Sequence, residues 1–209
     1  MASSIVHLAV IKELAGSYRF TDESRLKFGV ILPDGGIGTG SHLKIKISDT
    51  QKHTYNLDRY RAKFGERMKK DDLYLGYYLH LVQDLCFRHF VYDTHHWDPM
   101  PPGNVERLHK DYAIVNHYVV EKYGLVNDLM VPEGFACEEI NTLCEFDLEE
   151  HMESIRTYFE KVEDGEIFFF TKEMTDEYIV EAAATCAKEL EALQNGGRLI
   201  DAYENAWSR

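Results

Sequence analysis

The chain has no run approaching the roughly 18–20 uncharged apolar residues of a spanning helix, which argues against a membrane span. Its opening, Met1-Ala2-Ser3-Ser4-Ile5-Val6-His7, lacks a basic segment, and polar residues interrupt the apolar stretch a secretion signal needs. The four cysteines, Cys86, Cys137, Cys144 and Cys186, show no CxxC or CxxxxC spacing. That excludes thiolate zinc sites of the finger or ribbon type, and the thiols are expected to stay reduced. These absences together lead to an expected cytoplasmic location. Positive charge is also short: 23 Lys and Arg against 36 Asp and Glu give a net charge of −13. Loose electrostatic association with nucleic acid or an anionic membrane surface is therefore not expected. Nor is there an internal repeat, a low-complexity tract or a linker. Residues 1–209 read as a single domain, long enough to bury a sizeable core.

Histidine is what the chain has in quantity. Seven of its 10 histidines (His42, His53, His80, His89, His95, His96 and His109) crowd into one part of the sequence. Helical patterns dominate the rest. A first helix runs to Ala15, with Ser4 as its cap and His7 among its apolar positions. Further helices are expected over 57–68, 71–90, 105–123, 147–162 and 175–194, the last capped by Thr175. Pro33-Asp34-Gly35-Gly36 cuts a short segment at 25–32, and a glycine-rich loop follows up to Ser41-His42. Leu43–Ile47 alternates like a strand, but one strand makes no sheet. The expectation is an all-α bundle of six to seven helices. His53 and His151 read as surface residues, and Tyr77 and Tyr78 as packing residues or cleft residues.

The stretch from Leu73 to Phe87 is almost wholly apolar, yet holds His80 and Asp84 four residues apart. That spacing puts both side chains on one helix face, a turn apart. A helix this apolar is expected to be buried, and a buried carboxylate needs a partner. A core His–Asp hydrogen bond answers that need, and so does a metal ion. His117 and Glu121 repeat the pattern on the next helix. Two such pairs, with a loop aspartate and histidine, can converge inside a bundle. Nitrogen and carboxylate ligands without thiolates suit zinc, or manganese or iron.

The order of these residues, His7, then Pro33-Asp34, then Ser41-His42, then Gly76-Tyr-Tyr-Leu-His80-Leu-Val-Gln-Asp84, resembles the zinc-dependent phospholipase C family. Single-strand-specific fungal nucleases share that metal architecture. The resemblance covers mainly residues 1–90. It implies a helical cleft holding two or three zinc ions that hydrolyses a phosphate ester by attack of activated water. Carried over, it makes Asp84 a bridge between two metals, with Asp34, His42 and His80 completing one site and His7 serving the other. It also implies a free amine at Ala2, after removal of Met1, as a ligand of the second metal. A third site falls to His89, His117 and Glu121, with His95, His96, His109 and Asp111 as rivals. Asp34 is a ligand or the general base for the attacking water. The partner implied is a small phosphate-containing substrate: a phospholipid headgroup, a nucleotide, a short single strand or a phosphomonoester. A non-catalytic metal-binding or interaction protein with a degenerate hydrolase fold is the alternative. The helical HD-type phosphohydrolases need a His-Asp dipeptide, which the chain does not contain. Oligomeric state is left open.

Overall fold

In a computed structural model of the protein the described residues are 2–38 and 40–208; Met1, with its expected removal, lies outside them. Helix α1 (Ser4–Leu14) starts at Ser3, whose hydroxyl accepts from the Val6 amide at 3.3 Å. The cap is thus one residue earlier than the pattern suggests. Ser3 and Ser4 are chemically equivalent, and the tertiary structure assigns their roles: the Ser4 hydroxyl donates to Asp34 Oδ2 at 3.1 Å. Helix α1 is buried on nearly every side, with His7 wholly inside. It packs against α2 (Glu23–Ile31), α5 (Asn104–Tyr123), α6 (Leu148–Glu160) and α7 (Lys172–Gln194). The set is completed by α3 (Leu57–Met68) and α4 (Asp72–His89). Helices hold 59% of the chain and strands 4%, so the fold is all-α. One continuous core runs through it from Ala2 to Trp207. Among the described residues no helix is long and apolar enough to cross a membrane.

Three local expectations need correction. The alternating run pairs after all: β1 (Lys44–Lys46) and β2 (His53–Tyr55) form an antiparallel hairpin. Its outer edge is closed by the C-terminal tail, where His53 and Trp207 exchange backbone hydrogen bonds of 2.7 and 3.0 Å. Helix α7 is capped by Thr171, whose hydroxyl accepts from Met174 N. Thr175 instead lies inside the first turn and donates back to the Thr171 carbonyl at 2.7 Å. His151 is no surface residue, because its Nε2 donates to the Ile31 carbonyl at 2.8 Å and its ring covers Gly35.

The crossing of α2 over α4 positions the site. It is close because Gly29 and Gly76 face each other's backbones. A Cβ on Gly76 would run into the Leu26 carbonyl oxygen and lie 3.0 Å from Val30 N, and one on Gly29 would strike the Leu73 carbonyl. Backbone at that range cannot swing away as a side chain can. Gly76→Ala is therefore expected to destabilise the protein by about 3 kcal/mol or more, the upper end of overpacking costs. Urea unfolding of the variant measures this, and a loss below about 1 kcal/mol would mean the crossing can open at little cost. The same approach brings the free carbonyls at the end of α2 to α4. Val30 and Ile31 are among the last residues of α2, where a helix leaves carbonyls unpaired. His80 and His151 supply their donors.

Candidate metal centre

Five of the residues singled out in the sequence meet at one point. His7 comes from α1, Asp34 from the 3-10 turn Leu32–Gly35, His42 from the loop before β1, and His80 and Asp84 from α4. The ligand atoms of His7, Asp34 and His80 lie within 4.8 Å of one another, as do those of His42, His80 and Asp84. Asp84 divides its carboxylate. Oδ1 faces His7 Nε2 at 3.5 Å, while Oδ2 faces His42 Nε2 at 3.6 Å and His80 Nε2 at 3.8 Å. Asp34 Oδ1 stands 3.4 Å from His42 Nε2 and 3.7 Å from His80 Nε2.

Local structure explains each position. Pro33 ends α2, and the 3-10 turn it opens turns Asp34 towards the cluster. The loop bearing His42 is tied down where the Tyr77 hydroxyl donates to the Ser41 carbonyl at 2.5 Å. Tyr77 is thus a packing residue with a second task; Tyr78 is buried too and bonds Glu189. Every histidine is held through its other ring nitrogen. His80 Nδ1 donates to the Val30 carbonyl at 2.7 Å, His7 Nδ1 to Gln83 Oε1 at 2.9 Å, and His42 Nδ1 bonds Ser41 Oγ at 3.0 Å. A carbonyl only accepts, so a neutral His80 carries its proton on Nδ1 and directs the Nε2 lone pair at the cluster. Metal-ligating histidines are oriented in this way.

The chemistry of this donor set fits a cation. His42 and His80 approach at 3.0 Å through their Nε2 atoms, and a proton between them satisfies that pair. It leaves His7 Nε2, Asp34 Oδ1 and Asp84 Oδ1 buried without a hydrogen bond. Buried polar atoms are normally paired, and three orphans aimed at one point need a common partner. Tyr55 covers one side, its hydroxyl 3.3 Å from Asp84 Oδ2. Burial lowers the His80 pKa to about 3, with the neighbouring His7 adding to the shift, so the imidazole is neutral at any ordinary pH. Burial also acts to lower His7, but the charges of Asp84 and Asp34 outweigh it and leave His7 above its ordinary value. Against burial, the surrounding histidines hold Asp34 and Asp84 below the usual carboxylate range.

The expected third site does not form. Among the described residues His89, His117 and Glu121 belong to no group that could hold a metal. At roughly 100° per residue the nine positions from His80 to His89 amount to two and a half turns, so His89 leaves α4 on the opposite face. It is exposed and pairs with Asp93 at 3.0 Å. His117 and Glu121 do meet, at 3.4 Å, but as an ordinary helix pair with Glu121 in solvent. Of the rivals, Asp111 is taken up by the amides of Phe168, Phe169 and Phe170, and His95 stands 3.5 Å from Glu177.

A cavity of about 930 Å³ adjoins the Asp34 side of the cluster. Ser4, Arg88, Tyr112 and Asn116 contribute to its wall. Sequence reasoning overlooked Ser4, Tyr55, Gln83 and Arg88. Of these, only Arg88 carried a legible signal, since it follows Asp84 by four residues as Asp84 follows His80. No family model, curated protein or solved structure matches the chain.

Proposed function

We propose that the protein is a metal-dependent hydrolase of phosphate esters, with zinc as the resident metal. The observation that carries this reading is the convergence of His7, Asp34, His42, His80 and Asp84, with three of their buried ligand atoms unpaired, beside a cavity large enough for a substrate. Asp34, His42, His80 and Asp84 would hold one dication, and His7 with the other oxygen of Asp84 a second. Imidazole and carboxylate donors without sulfur favour zinc, with manganese or iron as the other candidates. Such ions, when bound, polarise a phosphate ester and make its attacking water a nucleophile near neutral pH.

The residues of the chain have separate tasks. Gln83, Ser41 and the Val30 carbonyl fix the ring orientations, so the ligands are arranged before a cation arrives. Ser4 holds Oδ2 of Asp34 and leaves Oδ1 for the cluster. Asp34 would serve as a ligand through Oδ1, which groups with the ligand atoms of His7 and His80 and is held by no hydrogen bond. A structural metal is closed in by protein ligands, whereas a catalytic one keeps a position open. The adjoining cavity favours the catalytic reading over a purely structural or interaction role.

The test is elemental analysis of untagged protein after zinc is supplied and excess removed. About two equivalents are expected, together with hydrolysis in a screen of phosphate mono- and diesters. Zinc at a thousandfold excess over its Kd should also raise unfolding stability by about 4 kcal/mol, and a chelator should reverse the gain. Protein that stays metal-free and unchanged in stability would return His80 and Asp84 to core hydrogen bonding, and the reading would fall.

A further inference from the structure

The cavity beside the cluster is poorly suited to an anion on one wall, where Asp34, Asp147 and Glu150 contribute carboxylates. Arg88 is the only Lys or Arg among its described lining residues. It follows Asp84 by one helical turn on α4, which sets their Cβ atoms roughly 5–6 Å apart on the same face. Tyr55 links the two, standing 3.3 Å from Asp84 Oδ2 and 3.5 Å from Arg88 Nε. Nη1 of Arg88 donates to the Tyr92 hydroxyl at 2.8 Å, and the guanidinium lies over the Trp207 ring at 5.3 Å. Among the described residues no carboxylate forms an ion pair with it, and its Nη2 makes no hydrogen bond. Other half-buried arginines have carboxylate partners: Arg25 takes both Asp71 and Glu138, and Arg61 takes Asp58. Asp84 acts on the guanidinium only across Tyr55 and turns its oxygens to the histidines, which leaves Arg88 without an ion-pair partner of its own.

We infer that Arg88 is the protein's own phosphate-binding residue, donating from Nη2 to a non-bridging oxygen of the phosphoryl group held at the metal cluster. The inference rests on the hydrolase reading above. A planar guanidinium fits two phosphate oxygens at once, and its charge is permanent. It stands in the cavity wall together with Asp34 of the cluster. One fixed organic cation supplies positive charge there, which suits an oxyanion, and the hydrolase reading makes that oxyanion a phosphate. The aromatic groups around Arg88 position it and restrain its rotation, so little order has to be gained on binding.

The experiment uses zinc-loaded full-length protein and inorganic phosphate as the probe, titrated calorimetrically against wild type, Arg88→Ala and Arg88→Lys, with zinc content measured for each. Phosphate affinity is expected to fall about tenfold or more in Arg88→Ala at unchanged zinc content, as the loss of a charged hydrogen-bond donor predicts. Arg88→Lys keeps the charge but loses the fork, and should recover only part of the affinity. Unchanged phosphate affinity in Arg88→Ala overturns the assignment. So does loss of zinc or of folding in both variants, which would make Arg88 a structural residue. A wild type that takes up no zinc overturns the metal reading itself, and this inference with it.

Discussion

Asp84→Ala is expected to empty both metal positions at once and to abolish hydrolysis. The reason is geometric: the two oxygens of Asp84 face different histidines, Oδ1 towards His7 and Oδ2 towards His42 and His80. Removing the carboxylate leaves three imidazoles and Asp34. Each proposed metal position then loses an anionic ligand that neutral imidazoles cannot replace. Asp34→Ala removes a carboxylate at ion-pair distance from His42 and His80 that also groups with His7, but it leaves Asp84 Oδ1 beside His7, so the zinc loss should be smaller than in Asp84→Ala. Elemental analysis of the two variants beside wild type reads the difference directly. Full zinc content in Asp84→Ala would rule out the bridge, and identical losses in both variants would rule out the division of labour.

Acid should destabilise the metal-free protein strongly between pH 6.5 and about 3. The sign follows from His80, whose folded pKa is lowered from 6.5 to about 3, chiefly by burial. In that window the unfolded chain binds a proton at this residue that the folded chain refuses, so stability falls as pH falls. At roughly 1.4 kcal/mol per pH unit of such a difference, His80 alone accounts for a loss on the order of 5 kcal/mol. Asp34 and Asp84 act in the same direction at the low end. Their folded pKa values lie below 3.8, so the stability they contribute is present above that value and is lost as pH drops through it. His7 works the other way, because its raised pKa adds stability below 6.5 that fades as pH climbs. Urea midpoints across this range, for wild type and His80→Gln, test the claim. The wild-type slope should exceed that of the variant, and parallel curves would remove His80 as the cause.

Spacing made the helical class and the His80–Asp84 pair legible in the sequence, whereas His7, Asp34 and His42 joined them only through the resemblance in residue order. His80 and Asp84 share a face by helix geometry, and Pro33 marks where Asp34 must leave a helix. The elements it left hidden depend on long-range partners. The hairpin could not be read from Leu43–Ile47, since its second strand is three residues long and its outer edge is provided by the tail. Ser3 and Ser4 compete for one cap, and the hydroxyl of Ser4 is claimed by Asp34, thirty positions away. The third metal site failed for a related reason. Its histidines sit at positions that look right in order, but His89 is half a turn out of phase with His80. Arg88, its immediate neighbour, takes the cavity-facing position instead.

The tail that closes the hairpin also stands behind the site. Trp207 pairs with His53 and packs on Tyr55 at 4.8 Å, and Thr54 donates to the Ala202 carbonyl across 148 positions of sequence. The five clustered residues lie between positions 7 and 84, far in sequence from those fasteners. Helix α1 packs on the later helices α5 and α7 as well as on α2, and the support behind Tyr55 comes from Trp207. Removal of the Trp207 ring would leave all five candidate ligands in place in the sequence but withdraw the group that backs Tyr55 beside Asp84.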